Sequence, residues 1–364
     1  MAYKMIQVGT GGFGIEWCRA FLPANIRDGL IEVVAAVDIN ETALEHARTH
    51  LGLRDDQCFT DLKKAFDETP ADFCTIVVPP AYHEQVVDLA LAHDMDILSE
   101  KPIADSMETS LRIANKVKAA GKKMGITLSH RFDQDKTTLR EELRSGKYGR
   151  LDYIVHRFTC ECRRFGSWGK FRHEIPDPLM VEGSVHHLDF LVDMMGGRCD
   201  TIYAQTWNPP WGEFAGDSQA LVMLRCENGA RATYEGAKTN AVGLNWWAED
   251  YMRAECELAT LILNHRHLEY FPFNPEDANP YKLEGQGAEI PLLEQPKWAH
   301  AWLIEQFVQW LDGGEAMATN VEDSLQSVAL VFAAIESSRS GMPVKVQEFL
   351  AAARRRVESD SSAA

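Results

Sequence analysis

The chain has 364 residues, of which 45% are hydrophobic and 25% charged, with a formal net charge of −17. This length allows two domains with separate cores, and the acidic balance argues against nonspecific binding to nucleic acid or to anionic membrane surfaces. No apolar run reaches the roughly 18–20 residues that span a bilayer. The N-terminal MAYKMIQVG enters a strand pattern without room for a signal peptide, so we expect a cytoplasmic protein.

Residues 1–128 alternate strand patterns and helix patterns. Runs such as Ile31–Val37 are continuously apolar, as expected for parallel strands that are covered on both faces. Repeated β-α-β units of this spacing predict an α/β domain with a doubly wound parallel sheet of the Rossmann type. The predicted strands are 4–8, 31–37, 73–78, 96–98 and 125–128, and the predicted helices include 41–51, 83–92 and 107–120.

After residue 130 the pattern changes to long strand-like runs and hairpin turns such as Asn228-Gly229. Residues 129–345 are therefore expected to form an α+β domain with a large, open, mainly antiparallel sheet, closed by helices near 297–311 and 321–338. Residues 346–364 are expected to form a C-terminal tail. The eight cysteines contain no CxxC spacing, so we expect reduced thiols rather than disulfides or a metal site.

The first predicted turn reads Gly9-Thr10-Gly11-Gly12-Phe13-Gly14, a G-x-G-x-x-G that follows a strand and opens a helix. Such glycines allow a tight turn, close approach of a pyrophosphate and close helix packing, and the helix N-terminus favours phosphate. Asp38 ends the second strand, where a carboxylate accepts hydrogen bonds from ribose hydroxyls and repels a 2′-phosphate. The pattern favours NAD over NADP, although the nearby Arg48 and Arg54 could compensate for the acid.

The stretch DILSEKPIA, residues 96–104, ends a short strand at Glu100-Lys101-Pro102. The carboxyl edge of an open parallel sheet is where ligands bind, and Pro102 restricts Lys101 to an extended conformation. A simple strand end at the solvent is the alternative interpretation. We expect Lys101 to meet both the cofactor and the substrate, with Glu100 positioning the backbone or the cofactor.

A second informative stretch is MVEGSVHHLDFLVDMMG, residues 180–196. Its right half has helical apolar spacing, with the helix expected to begin near Ser184 and Glu182 just outside it. A carboxylate this close would orient the His186 imidazole and raise its basicity. His187 points about 100° away and is expected to be structural or to contact substrate.

These motifs occur in a familiar order: the glycine turn with Asp38, then Pro79-Pro80 with His83, then Glu100-Lys101-Pro102, then H-x-x-D at His186–Asp189. Together they resemble the glucose-fructose oxidoreductase / inositol dehydrogenase / rhizopine-catabolism (Gfo/Idh/MocA) family over residues 3–345. The resemblance implies an N-terminal NAD domain and a substrate domain whose open sheet forms a homodimer or homotetramer. It also implies hydride transfer at a secondary hydroxyl, or the matching ketone, of a sugar, sugar acid or cyclitol.

By this resemblance Lys101, His186 and Glu182 are the catalytic candidates. Glu182 and Ser184 stand where the family usually has Asp and Gly, which leaves the reach of Glu182 open. Arg131-Phe132 resembles the family's residues at the domain crossover. The expected site residues are, for the cofactor, Gly9, Gly11, Gly12, Phe13, Gly14, Asp38, Pro79, His83, Glu100 and Lys101, and for the substrate, Lys101, Arg163, Trp168, His173, Glu182, His186 and His187.

Two other functions fit the same motifs. One is a glycosidase that uses NAD for transient oxidation with no net redox change. The other is a non-catalytic regulator that senses nucleotide or sugar, against which the presence of both Lys101 and His186 argues.

Overall fold

The computed structural model describes residues 2–363 and divides the chain into two compact units. The first comprises residues 2–129, 297–328 and 353–363, and the second comprises residues 130–296 and 329–352. Each unit therefore combines segments that are far apart in the sequence. No helix among residues 2–363 is long and apolar enough to cross a membrane.

The first unit is built on a six-stranded parallel sheet in the order β3-β2-β1-β4-β5-β6. The strands are β1 (Tyr3–Val8), β2 (Ile31–Val37), β3 (Cys58–Phe59), β4 (Phe73–Ile76), β5 (Asp96–Ser99) and β6 (Met124–Ile126). The helices among and after them are α1 (Gly14–Glu16), α2 (Leu22–Arg27), α3 (Glu41–Leu51), α4 (Leu62–Glu68), α5 (His83–Ala92) and α6 (Met107–Ala119). A π-helical turn at Trp17–Phe21 joins α1 to α2.

This sheet confirms the predicted doubly wound α/β domain. The continuous apolar run of β2 lies inside the sheet, and Asn40 caps α3 by accepting from the Thr42 amide at 3.1 Å. The prediction did not include the two-residue strand β3 or the short helix α4. Helix α10 (Ala299–Leu311), from much later in the chain, packs on α2, and its buried Phe307 meets Phe73 with 5.3 Å between ring centroids.

The second unit is built on a nine-stranded sheet in the order β14-β13-β12-β11-β7-β10-β9-β8-β15. Only β7 and β10 pair in parallel among these neighbours, which confirms the mainly antiparallel prediction. The strands are β7 (Leu151–Thr159), β8 (Cys199–Trp207), β9 (Gln219–Cys226), β10 (Arg231–Ala237), β11 (Tyr251–Cys256), β12 (Ala259–Asn264), β13 (His267–Pro272), β14 (Ala288–Glu289) and β15 (Val344–Lys345). Helices α7 (Gln134–Arg144), α8 (Lys170–Glu174) and α9 (Val185–Met195) belong to the same unit.

One face of this sheet is covered because α9 packs on β7 and β10, and α7 packs on α9. The core here contains Phe158, Phe190 and Met252, all fully buried. The residues of β9 alternate between buried and exposed, and this alternation leaves Leu221 and Met223 outside. The sheet therefore has one packed face and one face with exposed apolar side chains.

The C-terminal segment, expected as a tail, is helical. Helix α11 (Val321–Ser340) leads through β15 to α12 (Val346–Ala363). Val346, Leu350, Ala353 and Val357 are buried at spacings of three to four residues, so one face of α12 packs against the protein.

Candidate active site

The glycine turn of the first unit is closely packed at some positions and open at others. A Cβ on Gly9, where φ is +91°, would lie 2.1 Å from the Val77 carbonyl oxygen, and one on Gly14 would lie 2.4 Å from the Gly9 oxygen. A Cβ on Gly12 would meet no atom within 4 Å. The turn therefore needs glycine at its two ends and has an open surface in the middle.

Two backbone amides of this turn are available to a ligand. Among residues 2–363, the Gly12 and Phe13 amides donate to no protein acceptor, whereas the Gly14 amide donates to the Gly11 carbonyl at 2.8 Å. Free N–H groups before a helix are the donors that a pyrophosphate requires. The turn therefore fits a dinucleotide.

Asp38 holds this turn in shape. Its Oδ2 accepts from the Thr10 and Gly11 amides, each at 2.9 Å, and its Oδ1 accepts from the Asn40 amide at 2.9 Å. The sequence favoured a ribose contact for this carboxylate over a role as a turn residue before Asn40. The structure adds that the carboxylate also joins the ends of β1 and β2.

Pro79 and His83 follow β4 at the same carboxyl edge of the sheet. Pro79 precedes a 3-10 turn at Pro80–Tyr82, and His83 opens α5. The buried His83 ring spans two loops, with Nε2 2.9 Å from the Val78 carbonyl oxygen and Nδ1 3.1 Å from that of Ile103. His83 thus positions the loops that follow β4 and β5.

Glu100 is buried and its carboxylate is engaged by protein groups. Oε1 accepts from the Trp17 indole at 2.8 Å and lies 3.1 Å from His300 Nε2, while Oε2 accepts from the Lys101 amide at 3.3 Å. Burial acts to raise the pKa of Glu100, but the charge and hydrogen bond of His300, the charge of Lys101 and the Trp17 hydrogen bond outweigh it, so the pKa is lowered. Glu100 therefore acts as an anionic support for the backbone that carries Lys101.

Lys101 is the second residue after β5 and is partly exposed, and its bond to Pro102 is cis. Three loops that follow β1, β4 and β5 thus converge on one edge of the parallel sheet, and Lys101 belongs to the third.

Trp17 and His300, the two side chains that contact the Glu100 carboxylate, were not predicted from the sequence. His300 is 200 residues from Glu100 and has no local signal, although its aromatic neighbour Phe21, stacked on it at 4.4 Å, ends the π-helical turn that follows α1.

In the second unit, Glu182 and His186 lie on one continuous helical segment. A π-helical turn at Leu179–Ser184 runs directly into α9. Glu182 was predicted to lie just outside the helix, but it lies within this π-helical turn. Glu182 is buried and accepts from Arg172 Nε at 2.9 Å. The His186 ring is nearly buried and lies 4.3 Å from the His130 ring and 6.2 Å from the Trp247 ring.

His187 is fully buried behind His186. Its Nδ1 lies 3.0 Å from the Tyr234 hydroxyl, which also lies 2.9 Å from the Ser184 hydroxyl, and its Nε2 lies 3.5 Å from Asp250. Burial lowers the pKa of His187 well below its usual range, despite the opposing charge of Asp250. His187 therefore lies in the core of the second unit, where burial favours its neutral form.

Asp250 belongs to a buried charge cluster. Its Oδ2 lies 2.7 Å from the ammonium of the fully buried Lys136, and its Oδ1 lies 3.0 Å from His156 Nε2. His156, His187 and Asp250 place one ligand-type atom each within 4.8 Å of one another. Because Lys136 already neutralises the carboxylate, we assign no metal to this group.

The predicted substrate residues Arg163 and His173 are each within hydrogen-bond distance of a backbone carbonyl in the second unit. Arg163 donates through Nε to the Thr239 carbonyl at 3.0 Å. His173 is buried, stacks on Phe214 at 3.8 Å and has its Nδ1 3.0 Å from the Glu213 carbonyl oxygen. Arg131, the predicted crossover residue, forms a two-pronged ion pair with the buried Asp189 of the H-x-x-D motif.

Trp168, another predicted substrate residue, lies close to the Glu182 segment. A Cβ on Gly183 would lie 3.6 Å from Trp168 Cη2. The Trp168 ring also carries two cations, with Lys238 Nζ 3.8 Å and Arg172 Cζ 5.3 Å from its centroid. Lys238 and Arg172 were not among the predicted residues, and no local motif marks them.

Comparison with known families accounts for both units. Residues 4–128 match the model of the oxidoreductase family with an NAD-binding Rossmann fold, and residues 137–257 match the Gfo/Idh/MocA C-terminal domain. The chain belongs to the Gfo/Idh/MocA family. This Gfo/Idh/MocA protein is therefore an oxidoreductase with an NAD-binding domain, as the resemblance implied.

Relatives of this Gfo/Idh/MocA chain include the uncharacterized protein y4oX of Sinorhizobium fredii, 54% identical over 96% of this chain and 97% of that protein. The scyllo-inositol 2-dehydrogenase (NAD⁺) of Bacillus subtilis is 23% identical over 79% of this chain and 81% of its own length.

Solved structures share the fold. An oxidoreductase from Agrobacterium radiobacter in complex with NAD⁺, L-tartaric acid and magnesium has a TM-score of 0.79 at 21% identity, over 96% of this chain and 99% of that one. The WlbA dehydrogenase of Bordetella pertussis, in complex with NADH and UDP-GlcNAcA, has a TM-score of 0.76 at 19% identity, over 95% and 99%.

Proposed function

We propose that this protein is an NAD-dependent dehydrogenase or reductase that acts on a secondary hydroxyl, or the matching ketone, of a sugar, sugar acid or cyclitol. The observation that carries the proposal is the position of Lys101. It is the second residue after β5, at the edge of the NAD-binding sheet where the glycine turn and the His83 loop also lie. The name of the B. subtilis relative, an inositol dehydrogenase, supports a polyhydroxylated substrate.

NAD, when bound, accepts or returns the hydride of such a reaction. Lys101 would donate a hydrogen bond to the substrate oxygen and stabilise the charge that develops there. His186 would take the hydroxyl proton in oxidation and return it in reduction, because an imidazole titrates near neutral pH. Glu182, paired with Arg172, would fix the helical turn that carries His186.

A screen for activity tests this proposal. Purified protein is mixed with NAD⁺ or NADP⁺ and a panel of inositols, aldoses and uronic acids, and absorbance at the reduced cofactor's maximum is followed. We expect activity with NAD⁺ on at least one compound and a loss of about 10²–10⁴-fold in kcat for Lys101→Ala and His186→Ala. His93→Ala, which removes a partly exposed histidine paired with Asp67, is the matched control.

Two results would contradict the proposal. One is the absence of cofactor reduction on every compound by a folded protein that binds NAD. The other is release of an aglycone from a glycoside with no net reduction, which would indicate the transient-oxidation glycosidase instead.

We further propose that the exposed sheet face of the second unit forms a homodimer or homotetramer. Leu221 and Met223 on β9 and Trp207 at the end of β8 are exposed apolar side chains, and such patches commonly mark interfaces. Light scattering tests this: Leu221→Lys/Met223→Lys should lower the molar mass relative to wild type, and an unchanged mass would contradict the proposal.

A further inference from the structure

Lys238 is a fully buried lysine in the second unit, directly after β10. None of the ion pairs formed among residues 2–363 includes it. Its Nζ donates to Cys160 Sγ at 3.6 Å. Lysines are almost never fully buried without a charged partner, so the ammonium must be stabilised in another way.

Aromatic rings surround this ammonium. Its nitrogen lies 3.8 Å from the Trp168 ring centroid, 4.2 Å from that of Trp247, 4.6 Å from that of Phe158 and 5.8 Å from that of Trp246. Each distance is within the range of a cation–π attraction, which is strongest for tryptophan and grows when the cation is desolvated. We call Lys238 and these four rings the lysine cage.

The cage borders the helical segment that carries the predicted catalytic histidine. A Cβ on Gly183 would lie 3.6 Å from Trp168 and 3.9 Å from Lys238 Cε. The Trp247 ring lies 6.2 Å from the His186 ring and is nearly parallel to the His187 ring at 5.6 Å. Movement of Trp168 or Trp247 would therefore alter the surroundings of Glu182 and His186.

We propose that Lys238 is a positioning residue for the substrate half of the site, and that its ammonium fixes the Trp168 and Trp247 rings so that substrate binds well only while the ammonium is charged. The effect on substrate rests on the proposed function. A neutral side chain of similar length would fill the volume but would not attract the ring faces, and the two indoles would sample other orientations.

The charge on Lys238 changes in a pH range that is accessible to assay. Burial lowers the pKa of Lys238 to about 8, although the nearby Cys160 and Cys162 thiols act to raise it, and Arg172 acts further to lower it. Cys160 and Cys162 follow β7, and Arg172 lies on α8 and is paired with Glu182. The ring that comes nearest to the ammonium, Trp168, is uncharged.

Tryptophan fluorescence of the full-length protein without substrate tests the positioning. Wild type should show a transition near pH 8 that is absent in Lys238→Met and smaller in Trp168→Phe and in Trp247→Phe. Cys162→Ser should retain it, which separates lysine titration from thiol titration. Lys123→Met, which removes a lysine 5.7 Å from the Trp310 ring in the other unit, is the matched control and should also retain it.

Kinetics test the effect on substrate, with myo-inositol, D-glucose and D-glucuronate as probes. Lys238→Met should raise KM about tenfold with kcat changed less than about threefold, and Lys238→Arg should restore part of the loss. Wild-type KM should rise above about pH 8 as the ammonium loses its proton, and the KM of Lys238→Met should not.

The fluorescence test and the kinetic test can contradict the proposal independently of each other. A wild-type fluorescence signal that is flat between about pH 6.5 and 9.5, or an unchanged KM in a folded Lys238→Met protein, would overturn the proposal. If Lys238→Met does not fold, Lys238→Arg and the wild-type titration decide it. Inactivity of the wild type on all probes would overturn the proposed function, while the fluorescence arm would still decide whether Lys238 fixes the rings.

Discussion

Replacement of Lys136 by methionine should strongly destabilise the second unit. The Lys136 ammonium is fully buried and lies 2.7 Å from Asp250, 3.4 Å from Asp133 and 3.6 Å from Asp135. Burial acts to lower the pKa of Lys136, but the three carboxylates outweigh it and the pKa is raised. Lys136→Met keeps most of the side-chain volume. It removes the positive charge that lies within 3.6 Å of all three carboxylates.

The expected cost is about 3–5 kcal/mol in the free energy of unfolding at pH 7, because a buried charge left without its partner costs this much. This is a large fraction of the roughly 5–15 kcal/mol that stabilises a typical domain. Asp250→Asn keeps an oxygen acceptor for the His156 Nε2–H bond. In the double variant Lys136→Met/Asp250→Asn, we therefore expect about 2–3 kcal/mol of the loss to be recovered.

The effect should depend on pH with a defined sign. In wild type the pKa of Asp250 is held well below its usual range, because Lys136 and His156 outweigh burial. This stabilisation is present at neutral pH and is lost as pH falls below about 4. In Lys136→Met the buried carboxylates should have raised pKa values, so the variant gains stability as pH falls from 7 to about 5 and the gap to wild type narrows.

Urea unfolding followed by circular dichroism at pH 7 and pH 5 measures these quantities. Lys116→Met is the matched control, since Lys116 also contacts two carboxylates, Glu84 at 3.1 Å and Asp88 at 2.6 Å, but is 38% exposed. Solvent screening limits its expected cost to about 1 kcal/mol or less. A cost below about 1 kcal/mol for Lys136→Met, or additive effects in the double variant, would refute the reasoning.

Four further substitutions have defined outcomes. Gly9→Ala should destabilise the first unit and weaken NAD binding, because its Cβ would lie 2.1 Å from a backbone oxygen. The Cβ of Gly12→Ala would meet no atom within 4 Å, so this variant should lose only the about 1–2 kcal/mol that left-handed backbone costs a non-glycine residue. Equal shifts of the melting temperature for the two variants would contradict this. Glu100→Gln should lower stability by about 1–3 kcal/mol at pH 7, and the difference should disappear below about pH 4, since the lowered pKa stabilises only above that range. Lys238→Met should raise the free energy of unfolding at pH 7 by up to about 3 kcal/mol, because burial of the ammonium destabilises the folded wild type. The difference should disappear above about pH 10, where the lysine of the unfolded chain has also lost its proton. A lower free energy of unfolding for the variant would show that the attraction of the rings for the ammonium more than offsets the cost of burial.

The sequence predicted the elements whose signals are local. The bounds of β2 and of α3 with its Asn40 cap agree with the structure, because a continuous apolar run and a capping residue are both readable in one segment. Helix α4 was missed even though Asp61 caps it by accepting from the Lys64 amide at 2.9 Å. Its seven residues are too few for a helical period to stand out.

The position of a candidate site residue in the fold was predictable where a motif carries the residue. The glycine turn and Lys101 are placed at the expected edge of the sheet. His300 and Lys238 could not be identified, because burial of a polar side chain is decided by partners that are distant in sequence. The start of α9 at Val185 agrees with the expected start near Ser184, but the π-helical turn that places Glu182 in helical backbone has no sequence signature of its own.

The composition of the first unit has a consequence for synthesis of the chain. Its parallel sheet ends at residue 126, but Phe307, which packs on Phe73, belongs to a segment made some 180 residues later at the ribosome. At about 5–20 residues per second this is a delay of about 10–40 seconds. During that time the nascent NAD-binding sheet lacks its final cover of α10, and residues 130–296 of the second unit are synthesised before the first unit can complete its core.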